Sequence, residues 1–424
     1  MNRNPLARLS RQGLGGLAIF LILSARSVVA QSPGESQPDA DPPESSQEQP
    51  PDDEAPPGAA VLGSTGLQAS SPDGRYVMHL WFRGQFRYAY PFDADPTTAE
   101  GFEAPAESSF SVRRARIKLG GNVYQPWLEY YFEYDFPSNR LLDLRFTLSR
   151  IPWLQLNVGQ WKATYNRERV DSSGRQQFAD RSIVNREFTL DRQVGVMVAG
   201  HLWSGSPADS WYMLGVFNGN GTGASNDDGS MMWMARYQWQ FFGRDLPFSQ
   251  SDVEYHEQPA ATLSFATVKN RSPFTRFSSS GGAQLDGFEE GEPGQYDLRQ
   301  FVEEAAFKYR GFSFQHELHW KRVEDQVNES TTRLRGSYVQ AGYLPWARSG
   351  SPLEPLEVAF RYAWVDPDTA LPRDSRTELT FAANWFFSEH NNKITCDVSR
   401  LTLEQAEGPR LDDSRVRVQW DISF

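Results

Sequence analysis

The chain has 424 residues, 54 acidic against 42 basic, a formal net charge of -12 and one cysteine, Cys396. A pI near 5.1 excludes the basic footprint of a general nucleic-acid binder, and a lone cysteine excludes an intrachain disulfide or a cysteine-rich metal site. The mean hydropathy of -0.58 reads as soluble, but a transmembrane barrel reads the same, because only alternate residues face lipid.

At the start, Arg3, Arg8 and Arg11 precede an apolar stretch from Leu14 to Leu23, and Val28 and Ala30 supply small residues. This predicts a signal peptide over residues 1–30, cut after Ala30. The apolar run is about ten residues, short of the roughly twenty a helix needs to span a bilayer. Residues 31–74 are poor in large apolar groups and rich in Pro, Glu, Asp and Ser, which predicts a disordered periplasmic linker. Between residues 31 and 60 it carries eight carboxylates and no bases. No later segment has the length and apolarity of a transmembrane helix.

From residue 76 onward apolar and polar residues alternate, the period of a strand with two unlike faces. Met78, Leu80, Phe82, Phe86, Tyr88 and Tyr90 share one face, against His79, Arg83, Gln85 and Arg87, with Trp81 as an exception. Leu128 to Phe136 oppose Glu129, Glu133 and Asp135 in the same way. Leu142, Leu144, Phe146 and Leu148 oppose Asp143 and Arg145. The last ten residues, RVRVQWDISF, alternate to the final Phe424. Cys396 falls on the apolar parity, a small buried or lipid-facing thiol.

About sixteen such runs fit between residues 76 and 424, many about ten residues long, the length of a tilted strand that crosses a bilayer. The prediction is an all-β fold: a transmembrane antiparallel β-barrel over residues 75–424. If the first strand leaves the periplasm, odd-numbered connections are external and should be the long ones. Segments 91–109, 163–192, 219–230, 269–295, 323–332, 366–375 and 403–413 obey this, and the short turns at 124–126, 150–152, 310–311 and 388–391 fall on the other side. Two connections break the rule: 137–140 is short and 243–257 is long.

The stretches SFSVRRARIKLGG, LNVGQWK, FADRSIVNREFTLDRQVGV, YMLGVFNGNG and GSYVQAGYL, taken in order with the C-terminal strand, resemble the phosphate-selective porin O and P family. The resemblance implies a sixteen-stranded outer-membrane porin, a homotrimer, an anion-attracting pore and a constriction loop folded inward. A terminal aromatic residue on an alternating strand also resembles the signal read by the barrel assembly machinery. The partners implied are outer-membrane lipid and small anionic or polar solutes, with no nucleic acid and no cofactor.

In the second strand Arg114, Arg116 and Lys118 share a parity, against Ala115, Ile117 and Leu119. Facing a lumen, they would concentrate anions, and arginine suits phosphate through its paired donors. The alternative is that they pair with acids of the next strand, such as Glu129 and Glu133, leaving a transverse field with no net anion preference. Arg145 takes the polar parity of its own strand. The 163–192 segment is too long for a mere connection; it carries Arg167, Arg169, Arg181, Arg186 and Arg192, and Lys162 stands at its rim. By resemblance it corresponds to the constriction loop, with Arg181 and Arg186 the best-placed matches.

The chain has only six lysines, whereas the resemblance implies lysine-rich lumens in the family's phosphate-specific members, so the expectation is a broader pore for small solutes or anions. No catalytic or metal site is predicted. His316 and His319 in HELH fall on opposite faces of a strand and cannot share an ion. The glycine-rich GNGTGASNDDG stretch precedes no helix pattern and reads as an external loop, with Asp227 and Asp228 a weak cation site at most. Two other readings compete with a diffusion pore: a plugged structural or adhesive barrel, and a barrel enzyme such as a lipase.

Overall fold

The computed structural model describes residues 58–63 and 66–424; the expected signal peptide and the linker as far as residue 57 lie outside the described residues. Sixteen long strands follow one another. The first eight are β1 (Val77–Tyr90), β2 (Ser109–Asn122), β3 (Leu128–Asp135), β4 (Arg140–Ile151), β5 (Leu154–Lys162), β6 (Arg192–Leu202), β7 (Ser210–Phe217) and β8 (Met232–Trp239). The second eight are β9 (Ala260–Ser272), β10 (Tyr296–Tyr309), β11 (Phe312–Asp325), β12 (Ser330–Tyr343), β13 (Leu356–Asp366), β14 (Arg376–Ser388), β15 (Asn392–Leu403) and β16 (Leu411–Ser423). These are the about sixteen alternating runs expected between residues 76 and 424. Among the described residues no helix is long and apolar enough to cross a membrane.

The alternation resolves into a molecule that is polar inside and apolar outside. On β16, Arg415, Arg417, Gln419 and Asp421 are each only 1% exposed, while Val416, Val418 and Trp420 are 38%, 40% and 43% exposed. The same inversion runs along β14, where Arg376, Glu378, Thr380 and Asn384 are buried and Phe381 and Phe387 are exposed. Apolar groups turned outward on every wall are stable only in an apolar solvent. Cys396 is on this outward parity of β15 and half-buried, and Trp81, the sequence exception, turns inward onto Tyr131.

Each strand pairs antiparallel with the next, and β16 pairs with β1 from Val416↔Tyr90 to Ser423↔Arg83, closing a barrel of 16 strands. Closure pairs the backbone groups that an open sheet would present to lipid. The chain's last residue completes the seam: Phe82 N donates to the Phe424 carbonyl at 2.7 Å and Phe424 N to the Phe82 carbonyl at 3.0 Å. Beyond that point β1 outruns β16. Its exposed edge is taken by a short hairpin, Ala60–Gly63 and Gly66–Ser70, registered Leu67↔Leu80 to Ser70↔Val77. The tail end of the segment expected to be disordered is therefore ordered, because an unpaired edge beside it supplies the hydrogen bonds its composition could not.

The chain-end side of the barrel carries tight turns such as 152–153 and 310–311, and the opposite side carries 91–108, 163–191 and 273–295. The expected long external connection at 323–332 is instead a tight turn at 326–329. Strands β11 and β12 extend into it, and the Asp325 carboxylate closes it by accepting from Val327 N at 2.9 Å and Asn328 N at 3.0 Å. Both irregular connections flagged by the sequence are real: 136–139 is short, and 240–259 is long on the chain-end side. On that side Tyr124, Trp153, Trp203, Tyr343 and Phe424 are exposed near the strand ends, the usual place of aromatic residues at a membrane–water boundary.

Candidate functional site: the lumen and its inner loop

Segment 163–191 folds into the barrel and is buried along almost all its length. It contains two short helices, α1 (Arg167–Val170) and α2 (Ile183–Phe188), neither long enough to satisfy the rest of its backbone. One side of the loop is apolar. Tyr165, Ile183, Val184 and Phe188 join Trp161 of β5, Met197 of β6, Trp211 and Met213 of β7 and Met234 of β8 in one buried cluster. Phe188 stacks on His319 at 5.0 Å. It also lies against Gly336 of β12, where a Cβ would come within 2.6 Å of its ring.

The other side of the loop is held by charge. A buried irregular backbone must find partners for its N–H and C=O groups, and the wall supplies them. Arg167 N donates to Glu304 of β10 at 2.8 Å, Glu168 N to Glu317 of β11 at 2.5 Å, Ala179 N to Asp397 of β15 at 2.9 Å and Ile183 N to Glu378 of β14 at 3.0 Å. Wall cations take loop carbonyls: Arg236 that of Tyr165 at 2.8 Å, Lys321 that of Glu187 at 2.8 Å and Arg361 that of Asp180 at 3.1 Å. Hydrogen bonds to an ionised partner contribute about 1.5–3 kcal/mol each. Lumen charges therefore fix the shape of the constriction as well as its field.

Of the residues expected to line the pore, Arg114, Arg116 and Lys118 lie inward on β2, and Arg145 inward on β4. A bulge between Gln85 and Phe86 opposite Arg113 resets the parity of β2. It keeps Phe110 and Val112 outward before it and Ile117 and Leu119 on the outer face after it, and lets Arg113 as well reach Asp180 and Asp93, both at 3.4 Å. Arg114 donates to Gln85. Arg116 forms ion pairs with Glu133 at 2.5 Å and Asp135 at 3.1 Å, the neighbouring-strand pairing weighed against a free ladder; Glu129 instead accepts from Ser149.

Lys162, Arg169 and Arg181 are turned into the loop rather than into open lumen. Lys162 donates to the carbonyls of Val170 and Asp171 at 3.2 and 3.0 Å. Arg181 donates to those of Glu168 at 2.9 Å and Asp171 at 2.7 Å. Arg167 packs over Phe248 and Arg169 pairs with Asp191. Arg186 lies apart, toward the mouth opposite the chain end, in a pair with Asp286 at 3.0 Å, and Arg192 is fixed to Asp143 of β4 at 2.8 Å. Burial pushes the Glu168 carboxyl up to about 7, with Arg361 pulling against it, and pushes Asp171 up to about 6. Burial works against the charge of Asp180 too, but Arg87, Arg114 and Arg113 hold its carboxyl well below the usual range.

Sequence reasoning missed three parts of this site. Arg83 and Arg87 of β1 and Arg415 and Arg417 of β16 take the polar parity of their strands, but only register places them beside Arg114 and Arg116: Arg83 faces Arg116 across the β1–β2 ladder, and Arg417 faces Ala89 across the seam. Together they form a basic wall across β16, β1 and β2. It is partly neutralised by Arg83–Asp421 at 2.7 Å and Arg417–Asp397 at 2.7 Å. The acids Glu304, Glu317, Glu357 and Glu378 line β10, β11, β13 and β14. Last, the long 240–259 connection enters from the chain-end side and meets the loop, Gln177 N donating to Gln250 Oε1 at 2.8 Å and Gln250 N to the Arg175 carbonyl at 3.4 Å. Its irregular length was the only signal in the sequence.

At the mouth opposite the chain end a cavity of about 600 Å³ is lined by Asp286, Glu289, Asp325, Asp368 and Asp374, with Arg376 among them. His316 and His319 lie on opposite faces of β11, His319 against Glu317 at 2.9 Å. Asp227 accepts from Asn220 and Gly294, and Asp228 lies 3.5 Å from Arg271.

Residues 84–422 match the phosphate-selective porin O and P family. The chain belongs to that family. It is an outer-membrane porin, and the closed barrel with a loop folded into its lumen is the architecture of one. No curated protein matches the chain. Among solved structures, the anion-selective porin of Comamonas acidovorans is 11% identical with a TM-score of 0.53, covering 82% of this chain and 99% of its own. OmpT of Vibrio cholerae is 10% identical with a TM-score of 0.52, covering 82% and 98%. Salmonella typhi OmpF, solved with daunomycin, is 10% identical with a TM-score of 0.50, covering 82% and 98%. At these identities the likeness is one of fold.

Proposed function

We propose that this porin passes small hydrophilic solutes by diffusion with a modest preference for anions, phosphate among them, and that its chain-end side faces the periplasm. The observation that carries the reading is the basic wall on β16, β1 and β2, set against carboxylates on β10 to β14. Acids outnumber bases 54 to 42 over the chain, so the anion preference comes from where the bases stand, not from net charge. Most of the wall's guanidinium groups are buried and paired with carboxylates, so the wall acts on a passing anion through its field rather than by direct hydrogen bonds. Ion pairs such as Arg116–Glu133 and the acidic outer mouth weaken the field, which makes the preference moderate rather than strict.

The remaining parts of the reading follow the family: export by a signal peptide over residues 1–30, a linker from residue 31, insertion by the barrel assembly machinery, and a homotrimer in outer-membrane lipid. Family and fold are those of a channel, and no enzymatic step is assigned. The test is the reversal potential of single channels in a salt gradient, repeated with phosphate. Anion preference is expected, and replacing Arg114, Arg116 and Lys118 together with Glu moves it toward cations. A cation preference in the unaltered protein overturns the reading. The contact between the inner loop and segment 240–259 supports a second reading, a plugged barrel. It predicts no conductance steps at all.

A further inference from the structure

We propose that His201, Asp209 and Asp245 bind a divalent transition-metal ion of the Zn²⁺ class, with Gln240 as a fourth ligand, at the chain-end rim of the barrel. His201 stands at the end of β6, Asp209 just before β7, and Asp245 in the connection that enters the lumen. One ligand atom from each lies within 4.8 Å of the others. His201 Nε2 is 2.7 Å from Asp209 Oδ1, and the His201 ring is stacked on Trp211 at 4.2 Å and 17°, which fixes its direction.

A second observation points to a ligand there independently. Gln240 is 1% exposed, and its side-chain oxygen is buried without a hydrogen-bond partner. The amide nitrogen on the same carbon donates to Asp245 Oδ1, so the amide end lies at the cluster. An orphaned buried carbonyl oxygen is costly, and coordination to a cation would satisfy it.

The donor set selects the ion. One imidazole nitrogen with carboxylate and amide oxygens suits Zn²⁺ or its neighbours, whereas Ca²⁺ favours six to eight oxygens. Ligands about 2.0–2.2 Å from a tetrahedral ion stand roughly 3.4 Å apart. The ligand atoms now lie within 4.8 Å of one another, so binding would require the cluster to draw in, and Asp245 is its one exposed member. Binding would replace the proton shared by His201 and Asp209 with the metal.

The site has a mechanical consequence. It joins the 203–209 turn to the base of the segment that meets the inner loop. The two are already packed backbone to backbone: Gly243 has φ +62°, and a Cβ there would lie 2.9 Å from Gly205, while Gln240 N donates to the Asp209 carbonyl at 2.8 Å. An ion would pin the root of that segment.

The test uses the full chain in detergent, stripped with EDTA and titrated with Zn²⁺ by calorimetry, with Ca²⁺ as comparison. About one Zn²⁺ per chain is expected, at least tenfold weaker in Asp245→Asn and in His201→Gln, with Ca²⁺ weaker than Zn²⁺. Asp245 is exposed, so its variant keeps the test open if the buried histidine variant fails to fold. Conductance of Asp245→Asn reports separately that the pore is intact. Zn²⁺ binding absent in the unaltered protein, unchanged in Asp245→Asn, or weaker than that of Ca²⁺ overturns the proposal and leaves His201 and Asp209 as a hydrogen-bonded pair.

Discussion

Replacing Asp180 with Asn removes one negative charge from the inner loop while keeping its shape. Asp180 is 26% exposed and holds Arg87 at 3.0 Å and Arg113 at 3.4 Å. The asparagine oxygen still accepts from Arg87, and the Asp180 carbonyl still accepts from Arg361, so the loop should stay in place. An ion passing at roughly 5 Å feels about 0.8 kcal/mol from one unit charge at water-like screening. At 0.1 M salt, with a screening length of about 10 Å, roughly 0.5 kcal/mol survives. That is about 2.3-fold for anions and about 2.3-fold the other way for cations, so the permeability ratio should rise about fivefold. At 1 M, with a screening length of about 3 Å, the change should fall below about twofold. Reversal potentials at both salt concentrations measure this. An unchanged ratio at 0.1 M, or a change of the same size at 1 M, would show that Asp180 does not border the ion path.

Burial raises Glu168 above its unfolded value, so the loop favours the protonated acid. Its contribution to loop stability is full below about pH 4.5 and is lost as pH rises through about 7. Current noise and protease sensitivity of the loop should therefore increase between pH 5 and pH 8, and Glu168→Gln, which mimics the neutral acid, should flatten that dependence; an equal pH response in the variant refutes the assignment. Val418 faces outward beside Gln419, which faces in. Val418→Arg should destabilise the barrel by about 2–4 kcal/mol if it lies near the bilayer midplane, read by denaturant unfolding in vesicles; no loss would mean that this face does not meet lipid.

Most of the barrel was legible because a strand's side chains alternate with a period of two and a bilayer demands strands of a minimum length. Even the two irregular connections, 136–139 and 240–259, were visible as breaks in the loop rule. What length alone could not say was that 240–259 turns inward. Nor could it say that 326–329 would shrink to a turn, a consequence of Asp325 reaching two backbone N–H groups. The candidate cations were legible as inward-facing, but their partners were not. Arg116 meets Glu133 and Asp135 because of the β2–β3 register, and a single bulge at Arg113 changes which side chains share a face.

Alternation along the chain was thus enough to say that the protein has an oily outside, a polar inside and a closed sheet, because each of these follows from neighbouring residues. The field in the lumen was decided only by tertiary structure. Arg83, Arg116 and Arg417 come together from opposite ends of the sequence once β16 meets β1, and Glu304, Glu317 and Glu378 are spent on loop N–H groups that no local pattern places beside them. Charge at a pore is a sum over nearby groups, and which groups are near is set by closure and register.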